Sequence, residues 1–190
     1  MATIEFIAIL VSIVVGLAMT EVLQGFADCL RHRSSVRGYW PLIVFAVLVV
    51  FMSIWTLRWL WLAEGVDSWT WGELAVALAP GLLIFVMARI TFPQKVDESD
   101  LRVYYFEQSR ILWGLAALFV AMAEVRVVTL GAAVPLADAR VAAHAMRLGA
   151  FLLCIVLEVS KRRQVHEVGL GIAILLMAAR IATSYVAFGE

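Results

Sequence analysis

FIAILVSIVVGLAMT, residues 6–20, contains no ionisable side chain, and Glu21, Gln24 and Asp28 follow it. A helix that crosses the hydrocarbon core needs about 20 mostly apolar residues. This run and its flanks supply that length over residues 4–30. No Lys or Arg stands in the first five residues, whereas a cleaved signal peptide opens on a basic segment. The first helix is therefore expected to be retained.

Further apolar stretches follow at 39–62, 72–92, 103–128, 141–159 and 165–188. Tyr39-Trp40-Pro41 opens the second, with the proline at a first-turn position where its missing N–H costs nothing. Tyr39 and Trp40 mark one membrane interface, and Trp59, Trp61, Trp69 and Trp71 the other. Pro80 falls inside the third stretch and is expected to kink it. The fold class is an all-α integral membrane protein with about six transmembrane helices, in one transmembrane domain, 1–190.

Composition agrees. Hydrophobic residues make up 64% of the 190, charged residues 16%, and the mean hydropathy is +0.95. Soluble domains are about 45–50% apolar and about 25% charged. The formal net charge of zero speaks against a nucleic-acid partner. Cys29 and Cys154 stand alone near helix ends and read as free thiols.

Charge placement sets the orientation. Arg31, Arg33, Arg37, Lys95, Arg102, Lys161, Arg162 and Arg163 fall in loops 31–38, 94–101 and 160–166 or at their edges. The opposite side carries only Arg58, Arg126 and Arg140. Positive loops stay inside, so both termini are expected outside the cytoplasm, in a bacterial inner membrane.

Two short matches recur. Ala18-Met19-Thr20-Glu21-Val22 resembles Ala121-Met122-Ala123-Glu124-Val125, and Met87-Ala88-Arg89-Ile90 resembles Ala178-Ala179-Arg180-Ile181. Three helices per half would put the halves, 1–93 and 101–190, in opposite orientations, a 3+3 inverted-topology repeat. Glu21 and Arg89 lie in the inner third, Glu124 and Arg180 in the outer third, the antisymmetry such a repeat requires. This plan resembles small channels of two inverted three-helix units, such as the trimeric intracellular cation channels, in organisation alone.

An ionised side chain at the bilayer centre costs at least about 2.5–3.5 kcal/mol on insertion scales. Glu21, Arg89, Glu124, Arg147 and Arg180 are therefore expected to face the bundle interior and to pair, Glu21 with Arg89 and Glu124 with Arg180 or Arg147, with Arg110 joining the inner group. Arg89, one turn from its helix end, could instead snorkel. Ala8, Ser12, Gly16, Thr20, Gln24 and Asp28 recur every four residues on the first helix. Small residues at that spacing let another helix approach closely. His144, Arg147, Phe151, Cys154 and Glu158 form a shorter stripe on the fifth helix. Helices one and five are the candidates for lining a hydrated interior.

His32, His144 and His166 sit on different segments, two of them in loops, so no metal or haem set and no cofactor is expected. No phosphate loop, HExxH or Gly-x-Ser-x-Gly occurs, and no hydroxyl has a neighbouring base. An enzyme is not expected. The expected function is a small inner-membrane channel or transporter for an ion or small polar solute, as a homo-oligomer in the lipid bilayer. The alternative is a scaffold, sensor or partner subunit whose ion pairs are structural. A membrane enzyme acting on lipid is a weaker third class.

Overall fold

A computed structural model describes residues 3–33, 37–62, 70–94, 100–130 and 137–186. The described residues form six helices: α1 (Thr3–Arg31), α2 (Trp40–Leu62), α3 (Trp71–Thr91), α4 (Leu101–Leu130), α5 (Ala137–Val159) and α6 (Arg163–Val186). Five of them are long and apolar enough to cross a membrane. The remaining one, α4, carries Glu107, Arg110, Glu124 and Arg126 along its 30 residues.

Local chemistry sets several helix starts. Thr70 and Glu73 make a reciprocal capping box at α3: the Glu73 N–H donates to Thr70 Oγ1 at 3.3 Å, and the Thr70 N–H donates to Glu73 Oε2 at 2.7 Å. At α4, Asp100 Oδ1 accepts from the Arg102 N–H at 2.9 Å, satisfying one of the orphan donors of the first turn. The Leu101 N–H reaches the Arg37 carbonyl at 3.3 Å, which joins the α1–α2 and α3–α4 connections at one end of the bundle. The expected kink does not interrupt α3, which runs on as a helix through Pro80. Pro80 and Gly81 are buried, and a Cβ at Gly81 would lie 3.7 Å from Val11 and Val14 of α1. The loop expected over 160–166 is shorter than read, because α6 begins at Arg163.

α2 is the central element and packs against α1, α3, α4 and α6. Its apolar residues run all round the helix, as a helix with neighbours on several sides requires. α1 packs on α2 and α3, α3 on α4, α4 on α5, and α5 on α6. The main core joins Phe45, Leu42, Ile84, Met87, Tyr105 and Trp113, with Phe45 edge-on to Trp113 at 5.1 Å. A second cluster seals α1 against α2 and α3 through Ile7, Val11, Val15, Leu60 and Ala77.

An inverted repeat would give α4 and α6 the relation that α1 and α3 have. Among the described residues the neighbours differ. α1 and α3 pack closely, whereas α4 lies along α5 and reaches α6 through side chains alone, with Tyr105 and Phe106 on His166.

The α1–α3 crossing tolerates no extra atom at Gly25. A Cβ there would lie 2.4 Å from Phe92 Cδ2 and 2.7 Å from Phe92 Cβ, which the chain holds just past the end of α3. Gly25→Ala is expected to destabilise the purified protein by about 1–3 kcal/mol, the usual range for overpacking. Thermal or denaturant unfolding in mild detergent measures it, and Gly149→Ala on α5, where nothing lies within 4 Å, is the control expected not to destabilise.

Candidate functional site

Two polar clusters hold several of the residues singled out in the sequence, and a third adds residues that were not. The first joins α1 to α3. Arg89 Nη1 donates to Glu21 Oε2 at 2.7 Å. The pairing matches the depth argument, but not the expected interior placement, since 51% of the Arg89 side chain and 27% of the Glu21 side chain is accessible. The buried face of α1 is Ile7, Val11, Val15, Ala18 and Val22. Ser12, Gly16, Thr20 and Gln24 are exposed on the other side, with Thr20 Oγ1 donating back to the Gly16 carbonyl at 2.9 Å. Asp28 pairs with Arg31 on the same helix at 3.0 Å. α1 therefore turns its polar stripe away from the bundle.

The second cluster joins α4 to α5. Glu124 accepts from His144 Nδ1 at one carboxylate oxygen and from Arg147 Nε at the other. His144 and Arg147 are three residues apart and so share a helix face. Of the two arginines considered for Glu124, Arg147 is the partner. Arg180 instead lies over the Trp55 ring of α2, 4.5 Å from its centroid, and Arg58 lies over the same ring at 5.0 Å. Both contacts have cation–π geometry. The stripe on α5 does face α4: Cys154 is buried in the core and the Glu158 carboxylate sits beside Gly114. Arg110 does not reach the Glu21–Arg89 pair; it is exposed on α4 in a cleft shared with the end of α5.

The third cluster was not read from the sequence. His166, placed in a loop there, is fully buried in the first turns of α6. His166 Nε2 is 2.8 Å from the Ser160 carbonyl, which can only accept, so this nitrogen carries the proton. In the neutral ring Nδ1 then accepts, and Tyr105 Oη donates to it at 2.9 Å. Tyr105 Oη in turn accepts from Trp113 Nε1 at 3.0 Å. The result is one directed chain, Trp113 to Tyr105 to His166 to Ser160, spanning α4, α6 and the α5–α6 connection. Tyr39 stacks obliquely on Tyr105 at 5.4 Å, and burial pushes its phenol above the usual range, so it stays neutral. Arg126 was read as an outer loop charge. It is 4% exposed, lies 4.4 Å over Trp59, and donates from Nε to the Val76 carbonyl at 3.3 Å.

Among the described residues no group of three His, Cys, Asp or Glu side chains is placed to hold a metal ion. The chain matches no known protein family, and no characterised protein or solved structure is detectably similar to it. What the fold defines is a helical bundle with several helices fit to cross a membrane.

Tyr105→Phe would remove one hydroxyl and strand two buried groups, the Trp113 N–H and His166 Nδ1. An unmet buried polar group costs about 1–3 kcal/mol. Tyr105→Phe is therefore expected to destabilise the protein by at least about 2 kcal/mol, far more than the loss of one exposed hydroxyl would. Thr20→Val is the comparison, with both measured by unfolding in the same detergent.

Proposed function

We propose that the chain is a bacterial inner-membrane protein that assembles with itself, and that an ion or small polar solute crosses along the polar face of α1, between copies rather than through one bundle. The observation that carries this reading is the outward placement of Ser12, Gly16, Thr20 and Gln24, beside the half-open Glu21–Arg89 pair. Lipid is a poor neighbour for the Gln24 amide and for the Glu21–Arg89 charges. Ionisable residues at membrane depth face protein or a water-filled cavity almost without exception. A second copy would bring its own small residues against Gly16 and Ser12, and helix backbones approach closely at such positions. Lower on the same helix Glu21, Gln24 and Asp28 would line a wetter stretch.

The excess of Lys and Arg in the α1–α2, α3–α4 and α5–α6 connections supports a cytoplasmic position for those loops and an outer position for both termini. Cysteine labelling checks it. Cysteines at Ser35, Ser99 and Gln164 are expected to be protected from an impermeant reagent added outside, and one at Ser68 to react. Labelling at Ser35 from outside would reverse the orientation.

A partner-subunit role is the second reading, favoured by the apolar core at the bundle centre and by ion pairs that each tie two neighbouring helices. Thr20→Cys, in a chain whose Cys29 and Cys154 are replaced, separates the two. Under transport, mild oxidation of native membranes crosslinks copies, wild-type protein in liposomes carries flux, and Glu21→Gln or Gln24→Leu reduces that flux without changing the unfolding temperature by more than a few degrees. Crosslinking with no flux for any small ion or solute supports the partner-subunit role. A monomer that neither crosslinks nor conducts contradicts both.

A further inference from the structure

A cleft of about 820 Å³ opens where the start of α4 meets the end of α5. That size is within the range of small-ligand sites, about 300–1,000 Å³. Its walls carry charges of both signs. Asp100 is occupied as the α4 cap, and the Ser109 hydroxyl is held by the Phe106 carbonyl at 3.1 Å. That leaves Arg102, Arg110 and Lys161 as cations and Glu107 and Glu158 as anions.

These charges do not neutralise one another. Among the described residues none of the five forms an ion pair, although Glu21 with Arg89, Glu124 with Arg147 and Glu167 with Arg163 all close on their partners. Glu158 lies deepest. Its carboxylate sits against α4 at Gly114, where a Cβ would be 3.5 Å away, so the absence of a side chain there leaves it room. Val103, Phe106 and Val159 supply an apolar wall.

A simple anion in this cleft would meet Glu107 and Glu158, and a simple cation would meet three positive groups. A ligand with both charges satisfies the walls. We propose that the cleft binds a phosphate ester carrying a primary ammonium group, as in an aminophospholipid headgroup. Arg110 and Lys161 hold the phosphate, for which guanidinium and ammonium donors are suited. Glu158 takes the ammonium. The location fits a lipid. The cleft is at the end of the bundle where the α3–α4 and α5–α6 connections lie, and pockets with basic residues between membrane helices at that level hold lipid headgroups. The site is independent of the path along α1, which packs on α2 and α3 and not on α4 or α5.

The same phosphate-plus-ammonium chemistry occurs in a soluble compound, and the test separates the two sources. Delipidated protein in mild detergent is titrated with phosphatidylethanolamine, phosphatidylcholine, phosphatidylglycerol and free glycerophosphoethanolamine, with the unfolding midpoint and native mass spectra read together. Phosphatidylethanolamine is expected to stabilise and remain bound at lower concentration than phosphatidylcholine or phosphatidylglycerol. Arg110→Gln and Lys161→Gln should each raise its half-saturating concentration about tenfold or more, the loss of one charge-assisted hydrogen bond. Glu158→Gln should erase the preference over phosphatidylcholine, whose quaternary ammonium donates no hydrogen bond, while phosphatidylcholine binding itself is kept. The ligand-free midpoint of each variant reports its folding. Protection by glycerophosphoethanolamine as strong as by the lipid supports the chemistry and assigns a soluble source; protection by the lipid alone assigns a headgroup. Equal binding of all four compounds, an unchanged half-saturating concentration in both Arg110→Gln and Lys161→Gln, or an unchanged preference over phosphatidylcholine in Glu158→Gln overturns the proposal.

Discussion

A charged or amide side chain at membrane depth has to meet an opposite charge, a hydrogen-bond partner or water, and that constraint organises this molecule. Apolar surface is satisfied equally well by lipid or by protein, so it cannot alone decide which helix faces which. The polar groups decide. Glu21 and Arg89 tie α1 to α3, Glu124 ties α4 to α5 through His144 and Arg147, and the Trp113–Tyr105–His166 chain ties α4 to α6. Each is a contact between two particular helices, and two of them, α1–α3 and α4–α5, are the most extensive helix contacts of the bundle.

The same constraint separates two kinds of polar residue. In the interior Trp113, Tyr105 and His166 engage one another and the Ser160 carbonyl in a one-way hydrogen-bond chain, since a half-satisfied buried network is worse than none. Those left open sit at the margins: the outer face of α1 and the α4–α5 cleft. Bulk lipid does not complete either margin well. We propose another copy of the chain for the one and a ligand bearing both charges for the other.

Helix number and limits were legible in the sequence because an apolar run near twenty residues long leaves the chain few alternatives; expected and observed ends agree within a few residues. The Glu21–Arg89 pair was legible from depth alone. Facing was not. Ser12, Gly16, Thr20 and Gln24 show one stripe of α1, and Val11, Val15, Ala18 and Val22 show another, but either could be the buried one until the neighbours are known. His166 was missed because the basic run Lys161–Arg163 reads as loop, while the helix in fact starts at its last residue. Glu124 had two arginines at suitable depth, and only the packing of α4 on α5 selects Arg147. The recurring Ala-Met-x-Glu-Val and Ala-Arg-Ile segments place like residues at like depths, yet their arginines have different partners, a carboxylate for Arg89 and the Trp55 ring for Arg180.

The central claim is that the polar face of α1 is covered by protein and water rather than by lipid. A spin label at Thr20, in cysteine-replaced protein reconstituted into liposomes, reports this directly through its relaxation by molecular oxygen, which concentrates in lipid, and by a water-soluble nickel complex. The account requires low oxygen accessibility, measurable nickel accessibility, and dipolar broadening between labels on neighbouring copies. High oxygen accessibility with no nickel effect and no broadening would place Thr20 in lipid on an isolated chain, and would contradict it.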